Sequence, residues 1–201
     1  MAWARRLQAI AQGGLTYSEN PFDRDRYQQV RAVAVEMAAV RTGADRERLV
    51  ELFAGEAGYM TPKVDVRGVV FREGCVLLVR GRDDGRWTVP GGWADVGERP
   101  SEAVEKEVRE ESGYFARATK LIGVRNVDVR DRTPWPFHGY KLFFRCKLVE
   151  EKPEEPSPLE TDGVGFFAPE DLPQLSRRVG PAGLDWVFEH LRDPDRPADF
   201  D

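Results

Sequence analysis

One stretch, residues 91–114, GGWADVGERPSEAVEKEVREESGY, limits what this chain can fold into more than any other. It joins a glycine loop to a helix. Pro100 and Ser101 suit the first turn of a helix, and Gly113 suits its C-terminal stop. Val104 and Val108 supply an apolar stripe for burial. The carboxylates fall into two groups. Glu102 and Lys106 stand four residues apart, as do Glu105 and Arg109, the spacing of solvated ion pairs. Glu107 and Glu111 stand four apart with like charge, and Glu110 lies beside them. A wheel at about 100° per residue is expected to set Glu107 and Glu111 on either side of the stripe. Like charges then converge at the edge of the buried face, where a solvated helix does not need them. A divalent cation turns such repulsion into coordination, and hard oxygen ligands suit Mg²⁺ or Mn²⁺. The helix alone leaves open an ordinary charged surface helix, because the repulsion costs only about 0.2–0.5 kcal/mol.

The loop in front of the helix shifts the balance. Together the residues resemble the Nudix box, G-x5-E-x7-R-E-U-x-E-E-x-G-U with U aliphatic. Gly92, Glu98, Glu107, Val108, Glu110, Glu111 and Gly113 fall in register. Lys106 stands where the box has arginine, and Tyr114 where it has an aliphatic residue. Lysine keeps the charge but loses the planar two-pronged donor, which bears on how tightly Glu107 is oriented. The resemblance implies an enzyme that hydrolyses a nucleoside diphosphate linked to another group. It implies Mg²⁺, or Mn²⁺, held by Glu107, Glu110 and Glu111, with a main-chain carbonyl at Gly92 in the Gly91–Gly92 loop. Family members differ in the general base. In this sequence the candidates are Glu107 on the helix and Glu160 in a downstream acidic loop, so Glu107, Glu111 and Glu160 form the expected catalytic set. Glu98 is expected to orient Lys106 or the loop rather than bind metal.

The rest of the chain fits around this element. Residues 1–60 read as three short helices: one from Trp3 through Leu7, Ile10 and Ala11 stopped by Gly13–Gly14, one from near Asp23 to Thr42–Gly43, and one from Asp45 to Phe53. Helix-turn-helix DNA binding is excluded by charge, since this segment holds eight Arg and no Lys against eight Asp plus Glu. A segment this short has little core of its own. It is expected to pack against another body, and a homodimer through this unit is the expectation. From Lys63 the period changes to strands: VDVRGVVF, a two-residue turn at Glu73–Gly74, CVLLVR, and WTVP into the glycine loop. Further strands are expected at 116–129, 140–149 and 163–168, and a closing helix at 183–191.

This order predicts an α/β fold: a Nudix-type α/β/α sandwich with a mixed sheet over residues 61–201, plus a small all-α N-terminal domain over residues 1–60. The whole chain looks like a bacterial Nudix subgroup with a helical N-terminal extension, which includes CDP-choline pyrophosphatases. CDP-choline is therefore the favoured substrate, with ADP-ribose or an NDP-sugar next. A non-catalytic nucleotide-binding module is the rival, though such modules lose the box carboxylates that this chain keeps. Specificity must lie outside the box. Trp135 and Phe137 are candidates for stacking on a base, or for pinning their proline-rich loop to the core. Arg125 and Lys141 are candidates for phosphate contacts. The net charge of −5 gives no footing for non-specific nucleic-acid binding. No apolar run approaches the ~20 residues that span a bilayer. Cys75 and Cys146 form no disulfide framework and are expected to be reduced core residues. A cytoplasmic protein is the expectation.

Overall fold

The computed structural model describes residues 2–126, 138–150, 153–157, 159–179 and 183–200. Packing divides them into a helical unit, residues 2–63 with His138, and a sheet unit, residues 64–126 and 139–200.

The helical unit holds α1 (Ala2–Tyr17), α2 (Pro21–Thr42) and α3 (Arg46–Ala54). Caps set the boundaries. Asn20 accepts the Phe22 N–H at 2.9 Å, and Pro21 occupies the first turn of α2. Gly43, at φ 69°, closes α2. Asp45 accepts the Arg48 N–H at 2.9 Å and starts α3. Gly13–Gly14 does not stop α1, contrary to expectation. The helix runs through to Tyr17, and the Tyr27 ring of α2 sits so close that a Cβ on Gly14 would lie 2.4 Å from it. The glycine serves close approach of two helices, not termination. Ala4, Ala34, Val35, Ala38, Leu49 and Phe53 form the core. Two glutamines are fully buried with it. Gln8 donates to the Phe53 carbonyl at 3.2 Å, and Gln12 to the Gly58 carbonyl at 3.2 Å. The expected stripe on α1 is split: Leu7 and Ala11 turn inward, whereas Trp3 and Ile10 are exposed.

The sheet unit is organised by β1 (Lys63–Arg72), β2 (Cys75–Gly81), β3 (Trp87–Thr88), β4 (Ala116–Asn126), β5 (Gly139–Leu148), β6 (Thr161–Phe167) and β7 (Asp199–Phe200), with α4 (Pro100–Ser112) and α5 (Asp185–Arg192). The sheet order is β3-β2-β1-β5-β4-β7, and β6 lies along β2. The β1–β2 hairpin turns on Glu73 and Gly74 at φ 50° and 83°, the two left-handed residues a tight hairpin requires. The alternation of β1 and β2 sorts side chains between two layers. Val66, Val70 and Leu77 pack with Val104 and Val108 of α4. Val69, Val76 and Leu78 pack with Leu184, Val187 and Phe188 at α5. The result is the expected α/β/α sandwich with a mixed sheet, since β4 pairs antiparallel with β5 and parallel with β7.

β7 was not anticipated. Two residues carry too little pattern to read as a strand. Its place is set by partners far along the chain: Lys120 Nζ donates to the Pro194 and Arg196 carbonyls, each at 2.7 Å, and buried His190 meets Asp199 at 2.7 Å. The ion pairs expected along α4 also do not form. Lys106 binds Glu98 and Asp95, Glu102 binds Arg99, Glu105 binds Arg117, and Arg109 binds Glu154. For Lys106, Glu105 and Arg109, partners on neighbouring segments outcompete those one turn away, because exposed pairs on a single helix gain only a few tenths of a kcal/mol, whereas Glu102 takes Arg99 three residues before it. Of the cysteines, Cys146 is buried, and burial pushes its thiol up to about 12. Cys75 is only partly covered and is not a core residue. Among the described residues, no helix is long and apolar enough to cross a membrane.

Candidate active site

The site is built where the glycine loop crosses β1 and meets α4. Two backbone bonds lay the loop along the strand: Val66 N–H to the Gly92 carbonyl and Gly68 N–H to the Pro90 carbonyl, both 2.8 Å. Between them Gly91 takes φ 148°, and a Cβ there would lie 2.0 Å from the Val66 carbonyl oxygen. Only glycine fits. At Gly92 a Cβ would stand 2.9 Å from the Glu107 carboxylate, so that carboxylate lies against bare backbone. The Gly91 N–H donates to Glu111 Oε2 at 2.8 Å.

These contacts correct the expected placement of the two glutamates. Glu107 and Glu111 do not straddle the Val104–Val108 stripe. Both reach the Gly91–Gly92 turn along one flank of α4, one helical turn apart. The other flank belongs to Glu105, which accepts the Ala118 N–H at 3.0 Å. Like charge is therefore concentrated more tightly than the wheel reading implied. Glu107 is pushed up to about 7, chiefly by burial, then by Glu111 and Glu110. Glu111, only 8 % exposed, is also pushed up to about 7 by burial. The Gly91 N–H and the Arg67 and Arg178 guanidinium groups oppose that rise, and Glu160 adds to it. Groups so perturbed at one place mark a candidate functional site.

Glu98 behaves as expected of an orienting residue. It accepts Lys106 Nζ at 2.7 Å, and Lys106 also reaches Asp95 at 3.1 Å. The lysine in the arginine position thus ties the loop together, and those two carboxylates hold it firmly protonated. Glu160 is brought to the site. Its carbonyl accepts the Arg82 N–H at 3.0 Å, and the neighbouring Thr161 hydroxyl donates to the Glu111 carbonyl at 2.9 Å. Glu110 lines a recess of about 670 Å³ on α4, together with Arg109, Phe115 and Arg117; Glu107 and Glu111 do not line it.

Arg125 and Lys141 lie opposite each other on β4 and β5. Arg125 stands over the Trp186 ring, 5.0 Å from its centroid. Lys141 donates to the Arg178 carbonyl. Trp135 and Phe137 lie outside the described residues. Sequence reasoning missed Arg67, Thr161 and Arg178. Arg67 had a signal, a charged residue inside the buried run VDVRGVV. Arg178 had none, because its place is set by the loop after β2, where it pairs with Asp83.

Among the described residues, no three His, Cys, Asp or Glu side chains are preassembled into a metal cage. The donor chemistry nonetheless fits a hard divalent cation: one buried and one half-buried carboxylate with a surplus of negative charge, beside a main-chain turn. The Gly92 carbonyl already accepts the Val66 N–H, so a metal there would use its remaining lone pair or the adjoining Gly91 carbonyl.

Known proteins resemble both segments of the chain. Residues 1–53 match a family described as a UDP-X-like, N-terminal oligomerisation domain. Residues 61–186 match the NUDIX domain. The chain is 41 % identical over 199 residues to YjhB of Bacillus subtilis (strain 168), provisionally named an ADP-ribose pyrophosphatase, covering 98 % of this chain and 95 % of that one. A solved UDP-X diphosphatase is 30 % identical and covers 100 % of this chain and 97 % of its own, with a TM-score of 0.62. A solved ADP-ribose pyrophosphatase of Streptococcus suis 89-1591 is 34 % identical and covers 70 % of this chain and 100 % of its own, with a TM-score of 0.60. On the domain match and the near-full-length relative together, this chain belongs to the Nudix hydrolase family.

Proposed function

We propose that the chain is a Mg²⁺-dependent pyrophosphohydrolase of nucleoside diphosphates linked to a second moiety. The supporting observation is the pair Glu107 and Glu111, held at the Gly91–Gly92 turn and both pushed up to about 7. Phosphoryl transfer asks for neutralised oxygens and a placed water rather than covalent help from protein. Glu107 and Glu111 would hold the metal, with Glu110 and a carbonyl of the glycine turn. The ion would supply charge to the diphosphate oxygens and acidify a water. Glu107 and Glu160, whose charge acts on Glu111, are the two candidates for taking a proton from that water. Lys141, which donates to the Arg178 carbonyl, and Arg125 would meet the phosphate charge, with Trp135 and Phe137 stacking on the base. Relatives named for ADP-ribose and UDP-X put those substrates ahead of CDP-choline. The test is a panel of ADP-ribose, UDP-sugars and CDP-choline with and without Mg²⁺, products separated by chromatography. Metal-dependent release of a nucleoside monophosphate is expected. Tight nucleotide binding with no turnover would instead identify a sensor.

The raised carboxylates give a second measurable outcome. Both glutamates bind protons more tightly in the folded chain than in the unfolded one. Metal-free protein should therefore lose stability as pH rises from about 4.5 through about 7, where the buried groups must ionise. Added Mg²⁺ should restore it, by about 2.7 kcal/mol at a hundredfold excess over its dissociation constant, with the larger gain at pH 8 than at pH 6. Equal melting curves with and without metal at pH 8 would sink the site.

The helical unit supports a homodimer. Trp3, Ile10 and Tyr17 lie seven residues apart on α1 and are 76 %, 51 % and 70 % exposed. That is an apolar face a monomer would leave wet. Light scattering at micromolar concentration should give twice the chain mass. Ile10→Glu combined with Tyr17→Glu should give the single-chain mass without a loss of helix content. A full chain that is already monomeric rules the dimer out.

A further inference from the structure

We propose that Arg67 is a positioning residue for the metal-binding turn: its guanidinium, gripped by Asp65, locks the 89–92 loop against β1, so that the Gly91 N–H and Gly92 backbone meet Glu111 and Glu107 in register. The inference rests on the hydrolase reading above.

Arg67 and Asp65 lie within a buried strand, 5 % and 4 % exposed. Burying two charges is costly unless the geometry is close to ideal, and here it is two-pronged. Arg67 Nε donates to Asp65 Oδ1 at 2.6 Å and Nη2 to Oδ2 at 2.7 Å. A third donor, Nη1, reaches across to the Val89 carbonyl at 3.4 Å. That carbonyl belongs to the residue entering the glycine loop. The two residues flanking Arg67 bond the same loop through backbone, Val66 to Gly92 and Gly68 to Pro90. The Arg67 Cα is itself the floor of the turn, since a Cβ on Gly91 would lie 2.9 Å from it. So strand residues 66, 67 and 68 hold the loop at three consecutive places, and the loop holds Glu111. A neutral residue of similar size would fill this strand position at lower cost, so the ion pair needs a reason beyond packing. Residues that orient metal ligands from behind are worth roughly 10–100-fold in affinity or turnover.

The test uses the full chain, with Mn²⁺ binding measured by calorimetry in the absence of substrate and steady-state kinetics measured separately. Arg67→Gln should weaken Mn²⁺ binding about tenfold and lower kcat per folded molecule by roughly 10–100-fold, with KM moving less than about threefold. Arg67→Lys keeps the charge but loses the fork, so it should recover only part of both, and it supplies the readings if the glutamine variant does not fold. Variants that melt lower yet keep parental Mn²⁺ affinity and kcat would show a purely structural pair and overturn the proposal. So would full recovery by lysine. An unsubstituted chain that binds Mn²⁺ but hydrolyses nothing on the panel leaves the affinity comparison decisive for Arg67 and refutes only the hydrolase reading. A parent that binds no Mn²⁺ overturns both.

Discussion

Glu111→Gln is expected to lower turnover by at least roughly a hundredfold, the scale of losing one strong electrostatic contact to the reacting group, while leaving the metal-free protein no less stable. The two effects separate because the carboxylate is poorly housed. Glu111 is nearly buried, sits one turn from Glu107, and is pushed up to about 7 by that burial. Above this pH the folded chain carries a charge it would rather shed. The neutral amide keeps the shape and still offers an oxygen to the Gly91 N–H, which Glu111 accepts at 2.8 Å, but it carries no charge to bury. At pH 8 the metal-free variant should melt at or above the parent, and the stabilisation by Mg²⁺ should shrink. Such an exchange of stability for function is common where activity needs a strained group. Glu102→Gln is the control: its carboxylate is exposed and, among the described residues, meets only Arg99, so activity should hardly change. A Glu111→Gln protein with parental turnover would remove the carboxylate pair from the mechanism.

What could be read from the sequence follows from how local each signal is. Glu107 and Glu111 were legible as candidates because their like-charge spacing, ambiguous on the helix alone, falls in register with the glycine loop before it. The strands of the sandwich were legible because alternation and the Glu73–Gly74 turn act over a few residues. Gly14 was misread, because its purpose depends on Tyr27, which the chain brings back only after a second helix has begun. The partners of Glu105 and Arg109 were misassigned for the same reason. Spacing along α4 names candidates one turn away, whereas Arg117 and Glu154 arrive from other segments. The same limit explains Arg178, whose approach to Glu111 depends on Asp83 and on Lys141 from β5. Glu160 stood between. Its distance from the helix in sequence hid it, but the resemblance to a family that draws a base from a downstream loop pointed to it, and Thr161 ties its neighbourhood to the Glu111 carbonyl.

Gly91→Ala should damage the protein more than any other single methyl group added to the loop, and in both stability and activity. The backbone at Gly91 has φ 148°, a region that side chains rarely enter, and the new Cβ would be placed 2.0 Å from the Val66 carbonyl oxygen. Neither atom belongs to a flexible side chain that can swing away. The strain of such a backbone costs about 1–3 kcal/mol, and forced overpacking adds roughly as much again. Relief requires the loop to lift off β1, breaking the Val66–Gly92 and Gly68–Pro90 bonds and withdrawing the Gly91 N–H from Glu111. At roughly 2–4 °C per kcal/mol for a chain of this size, the melting temperature should fall by about 4–24 °C, and Mg²⁺ should recover little of it. Gly13→Ala is the opposite case. It lies within α1 with open space where the Cβ would stand, so it should raise stability by about 0.5–1 kcal/mol and leave turnover unchanged. If Gly91→Ala melted and turned over like the parent, the loop would have to reach the carboxylates by a different path, and the close approach of Gly91 to β1 would not be what holds Glu111 in place.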